Sequence, residues 1–196
     1  EHTEETDGCA VDGVEIRVVD DNRHEVPHGQ EGEEASRGPQ VFVGYWGEPE
    51  MTARALDADG WYYSGDYCRT DSEGRYIRIT GRKKDIIVRG GENISSREVE
   101  DIVLEYPGVR EAAVVAMPDE RLGERSCACV SMRPGAPALH LTDLVAFFDG
   151  RRVAKYKFPE YLVVLNALPR TSSGKLQKFA LARMVRERVA AGQPSD

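Results

Sequence analysis

Three short segments of the sequence combine charged side chains with glycine in ways that could serve chemistry. The first of them ends in Ser64-Gly65-Asp66. A strand that ends here would present the carboxylate of Asp66 at its tip, where it could accept hydrogen bonds from both hydroxyls of a ribose. The segment alone is weak evidence for such a site, because Ser-Gly-Asp is also an ordinary turn.

The second segment is basic and then rich in glycine. It consists of Gly81-Arg82-Lys83-Lys84-Asp85, followed shortly by Arg89-Gly90-Gly91-Glu92-Asn93. Basic side chains at a tight turn could contact a phosphate or a ribose, and paired glycines allow a backbone to approach a ligand closely. The structural alternative is a hairpin turn followed by the start of a helix.

The third segment, Pro169-Arg170-Thr171-Ser172-Ser173-Gly174-Lys175, partly matches a phosphate-binding P-loop. A P-loop requires Gly-x-x-x-x-Gly-Lys-[Ser/Thr]. Here Pro169 stands at the first glycine position and Leu176 follows Lys175, so a Walker A site is excluded. What remains is a flexible polar loop that presents one lysine. Such a lysine can neutralise an anion that develops during a reaction.

The elements that would position these segments change in character near residues 80–85. The earlier part alternates apolar and polar residues over short stretches separated by turns, which predicts a small antiparallel sheet or barrel-like unit. The predicted strands are 14–20, 33–36, 61–64 and 76–80, with a short helix over 50–56.

The later part alternates strands with helices, which is typical of a compact α+β module. Its first helix carries a clear signal, since Ser95 can act as the N-cap and Glu98 can complete a capping box. The predicted strands are 85–88, 109–117, 128–132 and 161–165, and two more helices begin at Thr142 and Lys178.

Composition narrows the classes of function. The chain has 196 residues and a net charge of −8, which makes extensive nucleic-acid binding unlikely. It has no apolar run of about 18 residues, so no transmembrane helix is predicted. Four cysteines without zinc-ribbon or CxxC spacing predict no metal site and fit a reducing cytoplasm.

The order and spacing of the motifs resemble the acyl-CoA synthetase branch of the adenylate-forming (AMP-binding) superfamily, and most of all its bacterial short-chain members. The resemblance covers residues 11 to about 187. The motifs that carry it are Arg37-Gly38-Pro39, Gly44-Tyr45-Trp46, Pro49-Glu50-x-Thr52, Gly60-Trp61-Tyr62-Tyr63-Ser64-Gly65-Asp66, Gly81-Arg82-Lys83-Lys84-Asp85, Gly90-Gly91-x-Asn93-Ile94 and Pro169-Arg170-Thr171-x-x-Gly174-Lys175.

The resemblance implies a division of the chain into two parts. Residues 1–83 would be the end of the large AMP-binding domain, a β-rich, barrel-like remnant, and residues 84–196 a mobile C-terminal α+β domain that swings on Lys84. The phosphate loop, most of the acyl pocket and the magnesium site would lie in a missing N-terminal domain. The 196-residue chain alone is therefore expected to be inactive.

The resemblance also implies an activity and roles for particular residues. The family activates a short- or medium-chain carboxylic acid with ATP, through an acyl-adenylate, and transfers the acyl group to CoA with release of AMP. Asp66 would bind the ribose hydroxyls and Arg82 the ribose or its phosphate. Lys175 would be catalytic in adenylation and a possible substrate of a lysine acetyltransferase. Gly90 and Gly91 would line the CoA site.

Two other functions stay open at this point. The first is an adenylation domain that loads a carrier protein instead of free CoA. The Arg82-Lys83-Lys84-Asp85 pattern disfavours it. The second is a stand-alone binding module without catalysis, which the basic clusters would serve equally well. Acceptance of the acyl group by free CoA distinguishes these possibilities.

Overall fold

The computed structural model describes residues 6–190 of the chain, without the side chains of 189 and 190. The chain divides into two compact units, Glu1–Lys84 and Asp85–Asp196. No helix in the described part is both long enough and apolar enough to cross a membrane.

The first unit is built on a five-stranded antiparallel sheet with the strand order β1-β5-β4-β3-β2. It also contains one short helix, α1 (Pro49–Ala55). The strands are β1 (Gly8–Cys9), β2 (Glu15–Val19), β3 (Gly32–Arg37), β4 (Tyr62–Thr70) and β5 (Tyr76–Arg82). The predicted elements of this half are confirmed, with β4 extending well beyond the predicted 61–64.

The barrel-like unit predicted from the sequence does not close into a barrel, because its sheet is open among the described residues. Its edge strands are β1, which pairs with β5 over two residues, and β2, which pairs with β3. Closing a barrel requires the edge strands to pair along a staggered register. A two-residue edge strand is too short to continue the ladder in this way.

The first unit buries a small apolar cluster. Val19, Ala35, Trp61 and Tyr63 pack together with at most 8% of each residue exposed. Val19 pairs with Glu33 across β2 and β3, and Ala35 lies two residues beyond Glu33, so Val19 and Ala35 face the same side of the sheet. The unit therefore has a modest core.

The second unit combines a five-stranded mixed sheet with three helices. The long strand β9 pairs antiparallel with β8 along its length, parallel with β10, and antiparallel with β6 at Arg89 and Gly123. Its elements are β6 (Ile86–Arg89), β7 (Glu92–Ser95), α2 (Ser96–Leu104), β8 (Val109–Asp119), β9 (Gly123–Met132), α3 (Leu141–Gly150), β10 (Tyr161–Val164) and α4 (Lys178–Ala190).

The sheet of the second unit separates two apolar clusters, as the period of two along β8 and β9 requires. On one face, Val114 and Val130 pack with residues of α2 and α3, including Val103 and Phe148. The members of the cluster on the other face, which packs against α4, are Ala113, Val115, Met117, Cys127, Cys129, Val163, Leu168, Leu181 and Val185. The prediction that Cys127 and Cys129 share a buried face is confirmed.

The helix starts agree with the predictions at α2 and differ slightly at α3. The hydroxyl of Ser95 accepts a hydrogen bond from the backbone N–H of Glu98 at 3.4 Å, which confirms the N-cap. Helix α3 begins at Leu141, so its N-cap is His140 rather than Thr142. The earlier start is favoured because the Asp143 carboxylate accepts a hydrogen bond from the His140 backbone N–H at 3.1 Å.

Candidate functional site

Asp66 and Arg82 lie opposite each other on the neighbouring strands β4 and β5. Arg82 Nε is 3.0 Å from Asp66 Oδ1, and both side chains remain accessible, with 56% and 30% exposed. Gly65 precedes Asp66 with a φ of +74°, a conformation that favours glycine. The sheet thus brings together a carboxylate and a guanidinium that both face solvent.

Two further acids stand beside this pair, and sequence reasoning did not assign them. Glu33 on β3 accepts a hydrogen bond from the Gly65 backbone N–H at 3.0 Å. Burial raises the pKa of its neighbour Glu34, and the negative charge of Asp66 raises this pKa further. The high density of acids in residues 1–36 was the available signal, but only the antiparallel register places these acids near Asp66.

The two lysines that follow Arg82 differ in their surroundings. Lys83 Nζ is 2.9 Å from Asp21 and 3.0 Å from Glu33. Burial lowers the pKa of Lys83, but hydrogen bonds to Asp21 and Glu33 outweigh this and raise it overall. Lys84 is exposed and takes part in no ion pair or side-chain hydrogen bond found within residues 6–190. Lys83 thus ties the end of β5 to its own unit, and Lys84 is the last residue of that unit.

Gly90 and Gly91 form the two-residue turn between β6 and β7, where Arg89 pairs with Glu92. Their φ angles are +59° and +90°, as a tight hairpin of this length requires at both central positions. The Gly90 N–H donates to the Leu122 carbonyl at 2.7 Å. A side chain at Gly91 would meet nothing within 4 Å. The glycines are therefore explained by turn geometry, and the outer side of the turn is open.

Lys175 lies on a hydrogen-bonded turn, in the segment that the sequence predicts to be a flexible polar loop. An isolated antiparallel bridge joins Arg170 to Leu176. Inside it, the Thr171 N–H donates to the Lys175 carbonyl at 2.8 Å, and the Lys175 N–H donates to Thr171 Oγ1 at 3.0 Å. The Lys175 side chain is exposed, and its ammonium pairs with no acid in the part of the chain that the structure describes.

Three residues further on, Lys178 has the opposite environment, and sequence reasoning missed it. Its Nζ is 2.7 Å from Glu100 and 3.7 Å from Asp85, and it donates to Ser96 Oγ at 2.8 Å. Burial raises the pKa of Glu100 although Lys178 lowers it. The sequence around Lys178 gives no sign of these contacts, because they join α4 to α2, which is far away along the chain.

The structure therefore groups the predicted site residues by unit. Asp66 and Arg82 are in contact in the first unit, and Gly90 and Gly91 adjoin in the second, which also carries Lys175. Across residues 6–190, no group of three or more His, Cys, Asp or Glu side chains is arranged to hold a metal ion.

Comparison with known proteins finds a matching domain in the second half of the chain. Residues 98–175 match the AMP-binding enzyme C-terminal domain. The match begins in α2 and ends at Lys175, and so includes the sheet of β8, β9 and β10. Over these residues the chain is similar to the C-terminal domain of AMP-binding, adenylate-forming enzymes.

The curated relatives that the chain resembles include two medium-chain acyl-CoA ligases. The chain is 65% identical over 184 residues to the medium-chain fatty-acid–CoA ligase of Escherichia coli, a match that covers 94% of this chain and 32% of that protein. It is 43% identical over 150 residues to the human mitochondrial medium-chain acyl-CoA ligase ACSF2, covering 76% of this chain and 24% of that one. The chain thus spans about a third or less of the length of these relatives.

Two solved structures are also similar to this chain. ATP-bound MatB from Rhodopseudomonas palustris matches with a TM-score of 0.86 and 35% identity, over 93% of this chain and 36% of that one. The o-succinylbenzoate CoA synthetase MenE from Bacillus subtilis, in complex with its acyl-adenylate intermediate, matches with a TM-score of 0.82 and 29% identity, over 92% of this chain and 36% of that one.

Proposed function

We propose that the protein containing this chain is an AMP-forming fatty-acid–CoA ligase that acts on medium-chain acids. The 65% identity to the Escherichia coli medium-chain ligase over nearly the whole chain carries this proposal. In the first half-reaction the acid's carboxylate attacks the α-phosphate of ATP and pyrophosphate leaves. In the second, the CoA thiol attacks the acyl carbon and AMP leaves.

In the proposed reaction, Asp66 and Arg82 bind the nucleotide. Two antiparallel strands hold the carboxylate and guanidinium 3.0 Å apart, and both remain accessible. A carboxylate accepts hydrogen bonds from vicinal hydroxyls, and a guanidinium donates to ribose or phosphate oxygens. This pairing supports a ribose site.

Lys175 is the proposed catalytic residue of the adenylation step. Negative charge accumulates where the acid meets the α-phosphate, so an ammonium at that place lowers the barrier. This role is supported by the exposure of the Lys175 side chain, which has no acidic partner within residues 6–190 and lies on a hydrogen-bonded turn. The same exposure would make Lys175 accessible to a lysine acetyltransferase.

Residues 1–83 are proposed to end the large AMP-binding domain, and residues 84–196 to form a C-terminal domain that reorients at Lys84 between the half-reactions. The exposed Lys84, at the end of the first compact unit, supports a hinge. Gly90 and Gly91 are proposed to line the CoA site, because the open side of their turn leaves room for a ligand.

Cofactor requirements follow from the same proposal. ATP and CoA are substrates of the proposed reaction. Mg²⁺ would accompany ATP, with its site expected outside this chain. Four free cysteines, three of them buried, fit a reducing cytoplasm. Small molecules are then the expected partners, without nucleic acid.

The second candidate function is transfer of the acyl group to a carrier protein instead of free CoA. The chain is 44% identical over 172 residues to a Streptomyces salicylyl-CoA synthase / salicylate adenylyltransferase, a match covering 88% of this chain and 31% of that protein. Adenylate that forms in the complete protein but does not pass to free CoA would favour a carrier-protein acceptor.

The proposal is tested with Lys175→Ala in the complete protein. We expect adenylation, followed as acid-dependent ATP–pyrophosphate exchange, to fall about 100-fold or more, because the variant removes a charge that acts in the transition state. Thioester formation from preformed acyl-adenylate should stay within about twofold, since thiol attack does not use this cation.

Lys178→Ala is not a suitable control, because the Lys178 side chain is only 23% exposed and belongs to an ion-pair network. Lys155→Ala is better matched, since Lys155 is also exposed and lies in the same unit, and it should leave adenylation unchanged. Equal loss of both half-reactions in Lys175→Ala would contradict the catalytic assignment, and absence of any adenylate in the unmutated protein would contradict the function itself.

A further inference from the structure

Arg170 contacts both the turn that carries Lys175 and the sheet behind it. Its NH1 donates to the Gly174 carbonyl at 2.7 Å, and its NH2 donates to the Glu111 carboxylate on β8. The guanidinium therefore connects the residue immediately before Lys175 to a strand more than fifty residues away in sequence.

The Glu111 end of this connection is itself anchored. Glu111 also accepts a hydrogen bond at 2.9 Å from the hydroxyl of Ser131, a fully buried residue on β9. The hydrogen bond from Arg170, followed by that from Ser131, lowers the pKa of the Glu111 carboxyl. Glu111 is therefore ionised at neutral pH, and the ion pair with Arg170 is present when the enzyme works.

The other hydrogen bonds of the turn are local, and Leu176 at its end packs against the apolar cluster that contains Ala113 and Val115. The Gly174 N–H donates to the Thr171 carbonyl at 2.9 Å, and the backbone and hydroxyl of Thr171 bond to Lys175. These bonds shape the turn but do not orient it on the sheet. The Arg170–Glu111 pair adds the ionic link between the two, and the planar guanidinium fork directs two of its donors at separate acceptors.

We propose that Arg170, held by Glu111, is a positioning residue that fixes the turn presenting Lys175. The inference rests on the proposed role of Lys175 in adenylation. The side chain of Lys175 remains free to reach its substrate while the backbone beneath it is held in one conformation. A misplacement of about 1 Å can cost a reaction about 100-fold, which is why a catalytic group benefits from rigid support.

The test uses Arg170→Met and Arg170→Lys in the complete protein. We expect Arg170→Met to lower the kcat of adenylation about 10- to 100-fold, with thioester formation from preformed acyl-adenylate within about twofold. Arg170→Lys keeps the charge but loses the fork, so it should restore adenylation only in part.

Hydrogen exchange supplies a readout that does not depend on activity. In Arg170→Met the amides of Thr171, Gly174 and Lys175 should exchange about tenfold faster, because the turn opens more often. Arg151→Met is the matched control, since it removes the exposed Arg151–Glu105 pair of the same unit. It should change neither the exchange at the turn nor adenylation.

The outcomes separate this inference from the proposed function. Faster exchange together with selective loss of adenylation supports positioning by Arg170. Loss of adenylation without faster exchange would overturn it, because Arg170 would then act directly on substrate. Faster exchange with full adenylation, or equal loss of both half-reactions, would also overturn it. Unchanged adenylation in Lys175→Ala would instead refute the role of Lys175 on which the inference depends.

Discussion

The cysteines illustrate how one residue type takes different properties from its surroundings. Cys68 on β4 is fully buried, and burial raises the pKa of its thiol to about 12. The pKa of Cys127 is also raised, by its hydrogen bond with Cys129 and by burial. Cys9 is exposed. Since the thiolate is the nucleophile, the buried thiols are poorly reactive.

Thiol labelling of the 196-residue chain tests this difference. At pH 8, Ellman's reagent should react rapidly with Cys9 alone of the four thiols, and with all of them after denaturation. In Cys9→Ser the rapid phase should disappear. A rapid phase that persists in Cys9→Ser would contradict the burial of Cys68, Cys127 and Cys129.

At the scale of secondary-structure elements, Lys178 joins three parts of the second unit. It lies at the start of α4 and contacts Glu100 and Ser96 of α2, as well as Asp85 just before β6. Glu100 also accepts a hydrogen bond from the Val114 N–H of β8 at 2.7 Å. Only 23% of the Lys178 side chain and 15% of the Glu100 side chain are exposed. These contacts therefore take the place of the water that would otherwise solvate the largely buried Glu100 carboxylate.

Removing the cation should destabilise the second unit. We expect Lys178→Met to lower the free energy of unfolding by about 1–3 kcal/mol at pH 7, because the Glu100 carboxylate would stay buried without its cation. Chemical denaturation of the chain, followed by circular dichroism, measures this change. The double variant Lys178→Met with Glu100→Gln should recover most of the loss.

The pH dependence of this effect has a definite sign. Burial already raises the pKa of Glu100 in the folded protein, and loss of Lys178 raises it further. A carboxyl whose folded pKa is raised costs stability above its unfolded pKa and not below it. The deficit of Lys178→Met should therefore shrink as pH falls towards 4.5. Arg183→Met, which removes an exposed pair within α4, should cost less than about 0.5 kcal/mol, and a comparable loss there would argue against a special role for the network.

At the scale of the whole molecule, the two units differ in how much apolar surface they bury. Both large clusters, one on each face of the β8–β9 sheet, consist only of residues after 85. Over its described residues, 6–84, the first unit has one cluster of four buried residues. Because burial of apolar groups is the main driving force of folding, we infer that the second unit can fold alone.

Expression of residues 85–196 tests that inference. We expect this segment to unfold cooperatively on heating and to retain the circular dichroism of mixed helix and sheet. A segment that begins at residue 105 is the control, because it lacks β6, β7 and α2, which contribute Ile87, Ile94, Val99 and Val103 to the core. Gradual, non-cooperative melting of 85–196 would show that it depends on the first unit.

Local signals in the sequence were sufficient for most elements and for the family. The Ser95 N-cap, the period of two along β8 and β9, and the shared face of Cys127 and Cys129 depend on neighbours within a few residues. Such features follow from backbone geometry whatever the rest of the fold does. The motif order that resembles the AMP-binding superfamily is likewise a property of the linear chain.

Tertiary structure alone decided the contacts between distant segments. Among the residues that the structure describes, it left the first sheet open, with β1 and β2 as its edge strands. It also placed Glu33 beside the Asp66 strand, joined Lys178 to Glu100, and linked Arg170 to Glu111. Each of these contacts joins residues that are far apart in sequence, so its energy depends on how strands and helices pack, which no local pattern encodes.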